Sequence, residues 1–598
     1  MNGMQTVQKH TWRGIALSGL IALSLVFSLW TVIQPSAKSA HAENNGQATT
    51  PFMGWSTWDF VGTKPTAANV YAQAQALANS GLAAAGYNYV LLDDFWYLNP
   101  TTTVDANGYW APDTSKFPGG LAALAAQVHG LGLKFGAYLT PGVPVAAVNQ
   151  KTPIAGTPYT ADQIAVVGSY EKNYNYHNVS YYIDYSKPGA QAYIDGWAKE
   201  LASWGVDFLK MDGVGSFDIP DVQAWSSALN NSGRGIVFDL SNNLSISDAT
   251  TWQANANAWR TQGDVECYSS CPGHQVSWAK IASRFGSAAS WAQYAGPGGW
   301  NDLDAMDVAD GSLDGITDTE RQTYMTLWAM AAAPMYLGDD VTQMDSYGKS
   351  LLTNSAVVAV DQSGTAATQL TGGNSQIWSK KNSDGSYTVA FFNLGSSTAT
   401  ISVNWSSLGF SGTAALTNLW TGGSLGNATN TYSASVASHG TLLFKVVPGS
   451  GGGSSCGSFS GNFHIINRNS GKYLDVQSDS TADGAGIVQF SSNGMADQEW
   501  FFEDAGGGYC KIVNLNSGKL LNIPGASTTR GTQLIQYHDD GKTNSQWQLN
   551  ATGSYYTIVS RSDGQYVDVK SDSTSDNAAI VQWTSNGQND QQWQIVAG

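Results

Sequence analysis

Charge is what this chain of 598 residues has least of. Asp, Glu, Lys and Arg make up 12% of it, about half the usual share, and the shortfall is greatest in cations. Lys and Arg total 28 against 45 acids, a formal charge of −17. Such a chain repels nucleic acid and anionic membrane, which excludes both as partners. Cysteine is scarce too, with four residues at 267, 271, 456 and 510. No His or Cys cluster accompanies them, so disulfides are expected in place of a metal site. Cys267 and Cys271 are close enough in sequence to form a small clip, with Cys456 and Cys510 a second pairing. No cofactor motif is present either, since the Gly-rich stretch 450–453 has no strand-turn-helix context.

Long apolar runs are absent after residue 33. Before it, Lys9 and Arg13 precede the apolar run Gly14–Ile33, and Ala40-His41-Ala42 forms a small-x-small cleavage site, the pattern of an export signal over 1–42. The run is long for a signal peptide and nearly long enough to span a bilayer, so an uncleaved membrane anchor is the alternative. Cleavage removes three cations and no acid, which takes the charge from −17 to −20. What the chain has in abundance is Gly, Ser, Thr, Asn, Trp and Tyr, a composition suited to a secreted protein that handles carbohydrate.

From Pro51 strand-like and helix-like segments alternate, the pattern of a parallel α/β fold. Eight strands are predicted, over 52–59, 87–95, 133–140, 206–213, 235–242, 258–265, 299–307 and 334–340. Amphipathic stretches such as 67–84, 191–205 and 318–333 lie between them. Eight such units close into a (β/α)8 TIM barrel, whose chemistry sits at the carboxyl ends of the strands. There the sequence puts Trp58, Asp93, Asp94, Tyr138, Lys210, Asp212, Ser241, Arg260, Asp264, Asp302 and Asp304. Lys210 and Asp212, two apart on one strand, share a face. Helix capping explains one aspartate at a strand end, but not so many on one rim.

TPFMGWSTW (50–58), LLDDFW (91–96), LKFGAY (133–138), WGVDFLKMDG (204–213), WRTQGD (259–264) and AGPGGWNDLD (295–304) together resemble glycoside hydrolase family 27, the α-galactosidase and α-N-acetylgalactosaminidase family. The resemblance makes Asp212 the nucleophile and Asp264 the general acid/base of a retaining glycosidase. It assigns the C4 and C6 hydroxyls to Trp58, Asp93 and Asp94, and the C3 and C2 hydroxyls to Lys210 and Arg260. Tyr138 lies near the nucleophile, and Ser241 lies on the C2 side, where DLSNN (239–243) departs from the family's Cys-rich pattern. Leu303 stands in place of a proline, and the loop 141–185 is unusually long. Physical reasoning expects Lys210 to lower the pKa of Asp212. Asp264 must start protonated, against the pull of Arg260. The implied activity is exo-α-galactosidase, with β-L-arabinopyranosidase and isomalto-dextranase as alternatives in the family and an inactive carbohydrate-binding protein as the alternative of another class.

The barrel is expected over 49–365, an antiparallel β-sandwich over 366–447 and a Gly/Ser linker over 448–458. Three related units begin at Phe463, Cys510 and Tyr556, and two end in the QxW motif, while Ser545 replaces its Gln in the middle unit. They resemble the ricin-type β-trefoil lectin, carbohydrate-binding module family 13, here over 459–598. That implies polysaccharide binding through Asp475, Phe490 and Asn493 and through Asp568, Trp583 and Asn586. The middle unit's pocket, around Asn522, Tyr537 and Asp540, is expected to be weak.

Overall fold

The computed structural model describes residues 45–448, 459, 461–506, 508–552 and 554–598. The export signal, the linker beyond 448 and Cys456 with its expected pairing lie outside the described residues. Among those described, no helix is long and apolar enough to cross a membrane.

Each of the eight predicted barrel strands contains an observed one. They are β1 (Met53–Ser56), β2 (Tyr89–Leu92), β3 (Lys134–Leu139), β4 (Phe208–Met211), β5 (Val237–Leu240), β6 (Ala258–Arg260), β7 (Trp300–Asp302) and β8 (Met335–Leu337). All pair in parallel, in the order β7-β6-β5-β4-β3-β2-β1-β8. Met306, just past β7, bridges to Leu337 and closes the sheet into a barrel.

Both faces of these strands are covered, so they read as apolar runs with little alternation. Parity still sorts the side chains. Tyr89, Leu91, Phe208, Val237, Ala258 and Tyr336 pack with one another inside the barrel, while Val90, Leu92 and Leu209 belong to the outer core under the helices. Gly136 is a glycine because a Cβ there would lie 2.7 Å from Leu91 and 3.1 Å from Phe208. Following the inward parity past the strand ends gives 93 after 91, 210 and 212 after 208, and 260 after 258. These residues arrive at the mouth by the same alternation that fills the interior.

Two helices depart from expectation. The stretch 67–84 breaks into Ala67–Asn79 and Leu82–Ala85, because Gly81 turns the chain at φ +97. Asp318–Ala331 is buried on nearly every face from Thr323 onward, where one apolar stripe was predicted. The sandwich covers its second side: the Trp420 indole donates to Thr326 at 3.0 Å and Thr323 donates to the His439 carbonyl at 2.7 Å. Phe285 of the barrel meets Phe392 of the sandwich edge to face at 4.9 Å. The sandwich comprises a six-stranded and a two-stranded antiparallel sheet over 368–448.

The C-terminal region repeats one bond three times. The indoles of Trp500, Trp547 and Trp593, each fully buried, donate to the carbonyls of Leu474, Leu521 and Val567 at 3.0, 2.9 and 3.1 Å. The QxW tryptophans are therefore trefoil core.

Candidate active site

A cavity of about 410 Å³ opens at the carboxyl ends of the barrel strands. Trp58, Asp93, Asp94, Tyr138, Lys210, Asp212, Ser241, Arg260, Asp264 and Asp304 all line it, so ten of the eleven barrel residues singled out in the sequence converge there. The eleventh, Asp302, is fully buried and accepts from the Tyr336 hydroxyl at 3.1 Å.

The charges divide into two sets. Lys210 Nζ reaches Asp93 Oδ2 at 2.6 Å, with both side chains largely buried. The Asp93 amide is held by Thr57 Oγ1 at 2.9 Å. Beside it Asp94, 1% exposed, is raised to about 7, first by burial. On the other side Arg260 ion-pairs with buried Asp304 and reaches Asp264 Oδ1 at 3.2 Å. Asp304 also accepts from the Val265 amide at 2.8 Å and the Tyr336 hydroxyl at 3.2 Å, which makes it the anchor that aims Arg260.

The expected lowering of the Asp212 pKa is corrected here. Burial pushes its carboxyl up, the charges of Asp93 and Asp264 add to that, and the opposing pull of Lys210 and the Gly213 amide does not overcome them. Lys210 pulls it down, but its ammonium also closes on Asp93, which sets a like charge beside Asp212. Asp264 is displaced the other way. Burial raises it, but Arg260, the Tyr268 hydroxyl and Lys210 together bring it below its ordinary value. The two carboxyls are thus displaced in opposite directions, Asp212 up and Asp264 down.

Tyr268 was not anticipated. Its hydroxyl donates to Asp264 Oδ2 at 2.8 Å and accepts from the Trp58 indole at 3.0 Å. It sits at φ +42, directly after Cys267, inside the Cys267–Cys271 disulfide. A left-handed, bulky residue is held only where the surroundings insist on it, and the disulfide encloses that turn. Its signal in the sequence was an aromatic inside a Cys-x3-Cys clip four residues past Asp264. Lys172 and Tyr174, from the loop 141–185, supply another wall. That loop is built around a small antiparallel sheet of Val143–Pro144, Ser180–Ile183 and Ala165–Tyr170.

In the trefoil, Asp475 and Asp568 are buried. Their Oδ2 atoms each accept from Gln498 or Gln591 at 2.8 Å. The same glutamines accept from the Asn493 and Asn586 amides at 3.0 Å. The middle unit lacks this lock, because Ser545 turns to the Lys542 carbonyl at 3.1 Å and Asn522 is met by Asn544 at 3.3 Å. Phe490 is half-buried. Trp583 carries the Arg530 guanidinium 4.6 Å from its ring centre, so one of its faces is already covered.

Comparison with known proteins agrees with this layout. Residues 50–166 and 172–363 match the family described as Alpha galactosidase A. Residues 372–446 match the Alpha galactosidase C-terminal beta sandwich domain, and 443–537 and 543–598 the Ricin-type beta-trefoil lectin domain-like family. The chain is 32% identical over 415 residues to an alpha-galactosidase of Oryza sativa subsp. japonica, covering 68% of this chain and 87% of that one. With an alpha-galactosidase of Coffea arabica it shares 33% over 414 residues, 68% and 95% of the two chains. Among solved structures, a β-L-arabinopyranosidase of family GH27 from Geobacillus stearothermophilus superposes with TM-score 0.62 at 30% identity, covering 69% of this chain and 98% of that one. Alpha-galactosidase I from Mortierella vinacea gives 0.54 at 29% identity, covering 67% and 98%.

Proposed function

Since the chain belongs to the α-galactosidase family, glycoside hydrolase family 27, we propose that it is a retaining exo-α-galactosidase with Asp212 as nucleophile and Asp264 as general acid/base. One observation carries the reading: two carboxyls from the ends of β4 and β6 line one sugar-sized cavity and feel each other's charge. In the first step the Asp212 carboxylate attacks the anomeric carbon, and the bond to the leaving oxygen breaks as Asp264 gives that oxygen its proton. In the second, Asp264 takes a proton from water, which attacks the same carbon and releases Asp212.

Before the first step a proton must transfer to Asp264, against the charges that hold its carboxyl low. A leaving-group oxygen that displaces the Tyr268 hydroxyl from Oδ2 removes one of the contacts that keep Asp264 ionised, so substrate binding itself helps the transfer. In Tyr268→Phe the alkaline limb of the pH profile of kcat/KM is therefore expected to move to higher pH, because a contact that lowers Asp264 is gone. An unmoved limb with reduced kcat would make Tyr268 a steric element only.

Asp93 and Asp94, side by side in the cavity, support a galactose-configured glycone, with neighbouring C4 and C6 hydroxyls to accept from. The second reading is β-L-arabinopyranosidase, favoured by the structural likeness to one, whose sugar is galactose without C6. Nitrophenyl α-D-galactoside, β-L-arabinopyranoside and α-D-glucoside, with dextran, separate these. The α-galactoside is expected to have the highest kcat/KM and to release α-galactose first by NMR. Dextran cleavage without galactoside activity would point to an isomalto-dextranase, and galactan binding without hydrolysis to a binding protein.

The ricin-type domain serves, in this reading, as a tether that raises local substrate concentration. Asp475→Ala with Asp568→Ala is expected to release the protein from insoluble galactomannan while leaving nitrophenyl galactoside turnover within about twofold of wild type, since distant sites act independently. Undiminished retention would remove the lectin assignment. The Cys267–Cys271 disulfide suits an oxidising, extracellular setting. Protein recovered from the cell interior with reduced thiols would count against export.

A further inference from the structure

Glu171, the residue before Lys172 of the cavity wall, meets Asp218 and Asp221. Each offers a carboxylate oxygen, and the three lie within 4.8 Å of one another. Burial is nearly complete, at 4%, 0% and 3% exposed. Two hydrogen bonds reach the group: the Gly215 amide donates to Asp218 Oδ2 at 2.7 Å, and the Tyr185 hydroxyl donates to Asp221 Oδ1 at 2.8 Å.

What is missing is more informative. Among the described residues, no donor reaches Glu171 Oε1, Glu171 Oε2 or Asp218 Oδ1. Ser180 pairs with Glu171 across the small sheet of the loop, through the Glu171 amide at 3.0 Å. Its buried hydroxyl likewise has no partner. Lys172, the cation next in sequence, turns away to Asn242 at 3.5 Å and over the Tyr174 ring at 4.9 Å. The charges felt by the three acids come from one another and supply no compensation. Buried carboxylates without cations or donors are very costly, so something must neutralise them.

We propose that Glu171, Asp218 and Asp221 bind a hard divalent cation of the calcium type, which pins the loop 141–185 to the segment following β4. An all-oxygen donor set selects calcium or magnesium over zinc or copper. Two oxygens each about 2.4 Å from a shared calcium lie at most about 4.8 Å apart, and calcium accepts the irregular geometry and added waters that three side chains leave open. Nothing in the cysteine and histidine pattern pointed to such a site, since its ligands are acids, one from the loop 141–185 and two from the 3-10 turn Ser216–Asp218 and the first turn of the helix Ile219–Asn230. Its position gives it a consequence. Glu171 precedes Lys172 and Tyr174 of the cavity wall, and Asp218 and Asp221 follow Asp212 on the next turn of chain. Between them Gly213, at φ +77, is packed so closely that a Cβ would lie 2.9 Å from the Lys172 carbonyl. The cation would fasten the wall to the strand that carries Asp212.

The alternative is a proton shared between Glu171 and Asp218, for which the Glu171 carboxyl, pushed up to about 11 by burial and by Asp221 and Asp218, has the required affinity. Metal binding decides between them without reference to activity. The full chain, passed through EGTA and then dialysed against calcium chloride, is expected to retain one more calcium per chain by mass spectrometry than Glu171→Gln treated alike. Saturating calcium is expected to raise the thermal midpoint of the wild type by about 5 °C over EGTA. The rise should vanish in Glu171→Gln and Asp218→Asn and persist in Asp310→Asn, which alters a separate acidic cluster of Asp310, Asp314 and Asp339. KM for a small galactoside should rise severalfold in EGTA. No retained calcium and no shift in the wild type would overturn the proposal. So would a midpoint in saturating calcium that falls as pH rises above the ordinary glutamate value and loses that dependence in Glu171→Gln, the mark of a shared proton.

Discussion

Asp212→Gly is expected to hydrolyse nitrophenyl α-galactoside about 10⁴-fold or more slowly than the wild type and to recover part of that rate in azide. The variant should fold. The residue 212 amide donates to the Leu139 carbonyl at 2.8 Å, and that backbone bond survives the loss of the side chain. Lys210 keeps Asp93 as its partner, and removing a buried carboxyl removes a desolvation cost. The cavity left beside the anomeric carbon admits a small anion. Azide then attacks from the face that Asp212 used, while Asp264 protonates the leaving oxygen, and the product is β-galactosyl azide. An unchanged thermal midpoint with neither rate loss nor rescue would take the nucleophile's role away from Asp212.

The second large effect belongs to Asp264→Ala. General acid catalysis contributes about 10² to 10⁴-fold, and that loss should appear with leaving groups that need a proton and shrink with dinitrophenyl galactoside, whose anion departs unaided. The alkaline limb of kcat/KM should disappear, because the group that must stay protonated is gone. Arg260 remains fixed by Asp304, so the pocket keeps its shape. Azide in this variant attacks the galactosyl-Asp212 intermediate from the opposite face and gives α-galactosyl azide. The two variants thus yield opposite anomers. A β-azide from Asp264→Ala would exchange the two roles.

The same pair shows how far residues alone could be read. That Lys210 and Asp212 reach one space followed from a spacing of two on a strand, and the inward parity of Phe208 bears it out. That Lys210 would bring the Asp212 carboxyl below its ordinary value did not hold. Its partner is Asp93, 117 residues earlier, brought near only because β2 and β4 flank β3 in the closed sheet. Asp264 and Arg260 are four apart, and their contact was foreseeable. The third member, Tyr268, depends on a left-handed turn inside a disulfide, and no periodicity announces such a turn. In the trefoil the three-fold repeat of Trp500, Trp547 and Trp593 was legible, whereas Arg530 over Trp583 was not.

By itself the sequence determined the eight strands, the sides their residues face, the three architectures in their order and the residues that gather at the barrel mouth. All of these follow from short-range alternation, glycine placement and recurring motifs, which are written along the chain. Only the tertiary structure decided which charge answers which: Asp93 claiming Lys210, Asp304 aiming Arg260, and Glu171 brought against Asp218 and Asp221 without a donor. Pairing of buried charges depends on distance and desolvation across the closed sheet, and neither quantity exists until the sheet closes.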